Sequence, residues 1–161
     1  MRHAAFVMTL LFGMVTLHQV QTVTVVHPAS PLLGDWQLNL SRTHYGPSVD
    51  RRRRERMTCT AEADKVRCVI RSIRSDGREL TGQFTASLDA AAGPVTGIPD
   101  LDEVQLRRTS ASLVDATFLF RGQPVFGYRA YQANDGRSLM IVSVDPVTRT
   151  AATTVVVYDR R

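Results

Sequence analysis

From Gly34 onward the chain alternates apolar and polar residues in short runs, and turn residues break the pattern every eight to twelve positions. A side-chain period of two is the signature of strands with one dry face, and no segment carries a sustained helical stripe. The first strand spans about Asp35 to Leu40, with Trp36, Leu38 and Leu40 on one face and Asp35, Gln37 and Asn39 on the other. A long polar connection, Ser41 to Glu55, follows; it is too long for a tight hairpin and is expected to wrap the outside or cross an end of the fold. Beyond it, a two-residue turn at Ala63-Asp64 sets a register in which Glu62 faces Lys65, Ala61 faces Val66, Cys59 faces Cys68 and Met57 faces Ile70.

Asp76-Gly77 is a hairpin turn into a strand with Leu80, Gly82, Phe84, Ala86 and Leu88 on one face. The stretch Asp89 to Asp100, with two prolines and two glycines, reads as a loop. Further strands are expected at about Glu103 to Arg108, Ser112 to Arg121, Val125 to Gln132, Ser138 to Val144 and Thr153 to Tyr158. Eight or nine short antiparallel strands make either a closed barrel or a sandwich. Almost all connections are hairpin-short, which predicts a meander and hence an up-and-down barrel, since a Greek-key sandwich needs long crossovers. Nine strands cannot close an all-antiparallel barrel, so either one assignment is wrong or the last strand is an extra.

The 161 residues, 43% of them hydrophobic, suffice for one core and argue for a single domain over residues 31–161. Residues 1–30 read as an address. Met1-Arg2-His3 is a basic head, and Ala4 to Leu17 is an apolar run that falls short of the roughly 20 residues needed to span a bilayer. This is the build of a secretory signal, cleaved somewhere between His18 and Ser30; the alternative is an uncleaved anchor that also uses Val20 to Val26. No cysteine stands there to carry a lipid anchor. An extracytoplasmic location, periplasmic or secreted, makes a Cys59–Cys68 bridge the default, with two reduced core thiols as the alternative.

The formal charge of +5 gathers around Arg51, Arg52, Arg53 and Arg54, with Arg56 just beyond. Aromatic residues do not interleave with that run, so the stacking platform of a single-strand nucleic-acid binder is missing. The arginines are either a solvated loop or a binding site for an anionic envelope surface, because guanidinium groups take such oxygens bidentately. Phosphate-loop, zinc-protease and nucleophile-elbow motifs are all absent, and two cysteines alone do not close a zinc site. His44 reads as an exposed loop histidine, Asp100, Asp102 and Glu103 as turn residues, and the Asn39-Leu40-Ser41 sequon as lying in a strand. No catalytic residue, metal or cofactor is expected. Phe84, Phe118, Phe120, Phe126 and Tyr128 share the inferred inner faces. They either fill the barrel or line a cavity for a small apolar molecule.

Gly34-Asp35-Trp36 at the head of a meander resembles the Gly-x-Trp signature of lipocalins and the wider calycin group. That resemblance implies a tryptophan that plugs one end of the barrel, with an arginine near the end of the last strand packed across its ring: Arg160, or alternatively Arg161. More fully, Leu33 to Asp159 resembles a set of small exported bacterial proteins described as lipocalin-like or of unknown function. The resemblance is carried by Gly34-Asp35-Trp36-Gln37-Leu38-Asn39, Asp76-Gly77, Pro94-Val95-Thr96-Gly97-Ile98-Pro99-Asp100, Val104-Gln105-Leu106-Arg107-Arg108 and Asp135-Gly136-Arg137-Ser138-Leu139-Met140. The arginine run and the two cysteines depart from that set, and no known activity is implied. The expectation is therefore an exported, monomeric, non-enzymatic barrel that binds a small apolar ligand, or alternatively an envelope interaction module using its basic loop.

Overall fold

A computed structural model describes residues 30–47 and 51–161. The signal segment, its cleavage region up to residue 29 and the alternative anchor lie outside the described residues.

The described residues form ten strands and no helix: β1 (Gly34–Leu38), β2 (Arg52–Glu62), β3 (Lys65–Arg74), β4 (Glu79–Ser87), β5 (Asp89–Thr96), β6 (Glu103–Ser110), β7 (Leu113–Phe120), β8 (Gln123–Gln132), β9 (Ser138–Val144) and β10 (Ala151–Arg160). Each strand pairs antiparallel with its sequence neighbours, and β10 returns to β1, closing an up-and-down barrel. The strand count departs from eight or nine because β5 occupies the stretch read as a loop, and ten satisfies the parity that nine violates. Pro94 is tolerated in β5 because only Gln83↔Thr96 and Phe84↔Val95 join that strand to β4. Gly93 lets the two backbones meet: a Cβ there would stand 2.0 Å from the Thr85 carbonyl oxygen.

The β2–β3 hairpin pairs Glu62↔Lys65, Ala61↔Val66, Cys59↔Cys68 and Met57↔Ile70, the register set by the Ala63-Asp64 turn. Ala63 takes φ 54 there. Cys59 and Cys68 form a disulfide with both residues buried in the core. The bridge is compatible with an extracytoplasmic location. A second departure concerns β2, which starts at Arg52, so Arg52, Arg53 and Arg54 belong to a strand rather than to the preceding loop. β1 in turn ends at Leu38, which leaves Leu40 in a turn and half exposed.

Trp36, fully buried, sits where β1 begins and β10 ends. Its Nε1 donates to the Leu32 carbonyl at 2.8 Å, and the Arg160 guanidinium lies 4.5 Å from its ring centroid. Arg160 is itself held by the carbonyls of Gly136 (2.7 Å) and Leu33 (3.1 Å). Leu32, also buried, completes this end. Phe84, Val104, Leu106, Val114 and the disulfide fill the layers next to it, so the barrel is solid at the Trp36 end.

Trp36→Ala is expected to lower unfolding free energy by about 3 to 5 kcal/mol through the cavity it leaves, measured by urea denaturation followed by circular dichroism. Replacing both cysteines by serine removes a short loop closure and should cost about 2 to 3 kcal/mol by chain-entropy reasoning. A loss below 1 kcal/mol for Trp36→Ala would refute a packing role at that end.

Candidate functional site

At the opposite end the barrel is not filled. A cavity of about 290 Å³ opens between the start of β2, the end of β3, the start of β4, the β5–β6 connection and strands β7 to β10. Its apolar wall comes from alternating inward positions: Met57 on β2, Ile70 on β3, Phe118 on β7, Tyr128 on β8, Ile141 on β9 and Val156 on β10. Ile98 and Leu101, in the β5–β6 connection, reach its rim together with Phe126, which is 39% exposed.

Three of the five aromatic candidates come together on this cavity. Phe118 has Phe126 and Tyr128 as ring neighbours at 5.8 and 5.6 Å. Phe84 packs edge-on beneath Phe118 at 5.8 Å and belongs to the filled layer rather than to the cavity lining. Phe120 does not line the cavity either. The β7–β8 register shifts after Phe118, and Phe120 ends the strand beneath the Arg121 guanidinium, 5.1 Å from its ring. A strict alternation through Phe118 and Phe120 misses that irregularity.

One side of the cavity is ionic. Glu55 is only 3% exposed and continues the inward face of Cys59 and Met57. Its Oε1 accepts from the Tyr158 hydroxyl and, at 2.8 Å, from Arg52 Nη1, which also lies 3.4 Å from the Tyr158 oxygen. Simple alternation would point Arg53 inward. A register shift between Arg52 and Arg54 turns Arg52 inward instead, over Glu55, and leaves Arg53 and Arg54 exposed. Arg52 thus shields the carboxylate from solvent while about a third of its own side chain stays accessible.

Burial acts to lower the Arg52 pKa, but the Glu55 carboxylate and the Tyr158 and Tyr45 hydroxyls outweigh it and hold the guanidinium above its ordinary value. Burial pushes the Tyr158 phenol well up, and the neighbouring Glu55 adds to the rise. Burial alone raises Tyr128. A buried ion pair repays its desolvation only when its geometry is good; here one carboxylate oxygen collects both donors.

Sequence reasoning missed Glu55 and Tyr158 as site residues. The available signal was parity, since Glu55 stands two and four residues before Met57 and Cys59. The arginine candidates divide: Arg52 enters the cavity, whereas Arg51, Arg53 and Arg54 are exposed. Arg54 lines an outer cleft of about 500 Å³ with Arg56, Arg71 and Arg161. His44 is exposed and bridged through its backbone to Val155. Asp102 braces a turn by accepting the Arg121 amide at 2.9 Å, and the Asn39 side chain donates to Asp159 at 2.6 Å. Among the described residues no group of three histidine, cysteine or acidic side chains is arranged to hold a metal ion.

No family model, curated protein or solved structure matches this chain. The class defined by the fold and the site is therefore stated from its own residues: a ten-stranded up-and-down β-barrel, closed at one end, with an ion-paired cavity at the other.

Tyr158 and Tyr128 both keep their protons longer in the folded state than in the unfolded chain. Between the unfolded phenol pKa near 10 and the folded values, the native state therefore binds more protons. Stability should be unaffected by these groups below about pH 10 and should fall as pH rises beyond it. Urea denaturation across that range checks this, and Tyr158→Phe should flatten part of the fall. An alkaline profile identical in Tyr158→Phe would contradict the burial argument.

Proposed function

We propose that this protein is an exported, non-enzymatic, lipocalin-like barrel that binds a small apolar molecule as a monomer. The observation that carries the reading is the cavity of about 290 Å³ under an apolar rim. Eight-stranded barrels have interiors that side chains just fill, and diameter grows with strand number, so ten strands leave surplus space. A cavity of about 150 Å³ lined by apolar side chains holds benzene, and the usual ligand pocket starts near 300 Å³; this one suits a single short chain or a ring or two. The lipocalin-like comparison is supported by the burial of Trp36 under Arg160, and export by the basic head and apolar run of the leader together with the disulfide. No catalytic assignment is made: the Glu55, Arg52 and Tyr158 groups are engaged with one another.

Purified protein should bind the neutral two-ring fluorescent probe Prodan saturably, with one site per chain. Ile141→Trp, which fills the cavity, should weaken that binding by about tenfold, the order expected from losing a well-packed apolar contact. Non-saturable binding, or binding indifferent to Ile141→Trp, would count against the cavity.

A second reading is favoured by the outer arginines. Arg51, Arg53 and Arg54 are exposed, and Arg54 and Arg71 make no ion pair among the described residues. Arg56 is already matched by Asp35, whose carboxyl the Arg56 guanidinium holds below its usual range. This face fits an anionic envelope surface. Retention on phosphatidylglycerol vesicles should be salt-sensitive and lost when Arg51, Arg53 and Arg54 are all changed to alanine; retention unchanged by that variant excludes the reading.

A further inference from the structure

We infer that the outer cleft between Arg54, Arg71 and Arg161 holds a terminal phosphate group, one attached through a single ester bond. The inference deepens the second reading above and rests on it for a negatively charged partner at this face. It adds which anion is held, and it moves the grip from the Arg51 to Arg54 run to side chains gathered from separate strands.

The cleft of about 500 Å³ is lined by four arginines: Arg54 and Arg56 of β2, Arg71 of β3, and Arg161 just past β10. All four are exposed. Strand parity puts the first three on the outer wall, since Arg54 and Arg56 alternate with the inward Glu55 and Met57, and Arg71 lies beside the inward Ser72. Arg161 is fixed by its backbone amide, which donates to the Asp35 carbonyl at 2.9 Å.

Arg56 and Arg71 stand directly opposite each other in the β2–β3 register, and like charges in that position destabilise a sheet. On its other side Arg71 faces Thr81 of β4, so no carboxylate stands directly beside it. Arg67, on the same face of β3, is placed differently: its guanidinium donates to Glu62 and Gln83. Two carboxylates belong to the cleft. Asp35 is committed to Arg56 through both of its oxygens, and Glu79 is the one acidic side chain among the described lining residues. Four guanidiniums against these two carboxylates leave two positive charges in excess. Arg54, Arg71 and Arg161 make no ion pair among the described residues, so their donor edges are open.

That surplus selects the ligand. A terminal phosphate carries close to two negative charges at neutral pH and presents three free oxygens. A phosphodiester, a sulfate ester or a carboxylate carries a single charge. Arginine forks take phosphate oxygens in pairs of parallel hydrogen bonds, and three open forks need more acceptors than a carboxylate or a diester presents. A phosphate placed between Arg56 and Arg71 also relieves their opposition.

The experiment is a backbone amide chemical-shift titration of the purified protein with methyl phosphate and dimethyl phosphate, at low salt and mildly alkaline pH so that the monoester is doubly charged. It is paired with sedimentation on phosphatidylcholine vesicles carrying either phosphatidic acid or phosphatidylglycerol at matched surface charge. Methyl phosphate is expected to bind at least about tenfold more tightly than dimethyl phosphate, the low end for hydrogen bonds to a charged group, with the shifts centred on Arg54, Arg56 and Arg71. The double variant Arg71→Gln/Arg161→Gln should abolish that preference. Both side chains are exposed and unpaired, so the variant is expected to fold, which its circular dichroism checks. Arg67→Gln removes the same kind of charge from the same face outside the cleft and should leave methyl phosphate binding unchanged.

Equal binding of the two esters, or a preference that persists in Arg71→Gln/Arg161→Gln, overturns the inference. If both vesicles then retain the protein equally and the Arg51, Arg53 and Arg54 alanine variant is released, the anionic-surface reading stands without it. Given the ester preference, stronger retention on phosphatidic acid than on phosphatidylglycerol places the phosphate on a lipid, and equal retention places it on a soluble ester. Absence of both ester binding and vesicle retention removes the second reading together with this one.

Discussion

Ten strands with one apolar face each, and no helix among the described residues to cover them, have only one another to bury against. Closure is the constraint from which the other features follow. It requires an even strand number, and it requires β10 to find β1 across almost the whole sequence, the one pairing in the meander that is not between chain neighbours. The residues at that junction are correspondingly specific. Trp36 fills the end of the barrel, donates its indole N–H to the Leu32 carbonyl, and carries Arg160 against its ring. Leu38 and Tyr158, paired one step further in, bring the last strand's hydroxyl to the level of the cavity.

The same closure explains why the two ends differ. At the Trp36 end, inward positions hold bulky residues and the disulfide, and packing is complete. At the other end the inward positions of β2 and β3 become Glu55, Arg52, Ser72 and Arg74, which do not pack as an apolar core. Buried charge is expensive, so the ion pair is stable only because Tyr158 and Arg52 converge on one oxygen of Glu55. Apolar residues of similar volume at these positions would avoid the desolvation cost that the charges carry.

Much of this architecture was legible in the residues. The β2–β3 register follows from a two-residue turn and a period of two, and the cysteine pairing follows from the register. What was not legible shares one cause: local departures from alternation. β5 is built from Asp89-Ala90-Ala91-Ala92-Gly93-Pro94, which has neither β-branched residues nor alternating polarity before Val95, so tertiary pairing rather than propensity makes it a strand. The bulge at the start of β2 sends Arg52 inward from a run of like residues in which no single arginine stands out. The irregularity after Phe118 removes Phe120 from the interior. Glu55 was masked by its neighbours, since a glutamate amid arginines reads as a solvated charge until strand parity assigns it a face.

The thin seam between β4 and β5 has a dynamic consequence. Only two register pairs join these strands, whereas β3 and β4 share nine. Local opening free energies scale with the hydrogen bonds and buried contacts an element must release. The β4–β5 junction is therefore one of the barrel's weaker seams, and the Thr96 amide is expected to exchange with solvent ahead of those in the disulfide-tied β2–β3 hairpin, whereas the Val95 amide is held on the other side by the Asp102 carbonyl at 2.9 Å. That seam runs up to Ile98 and Leu101 at the cavity rim, so its opening widens the mouth sideways.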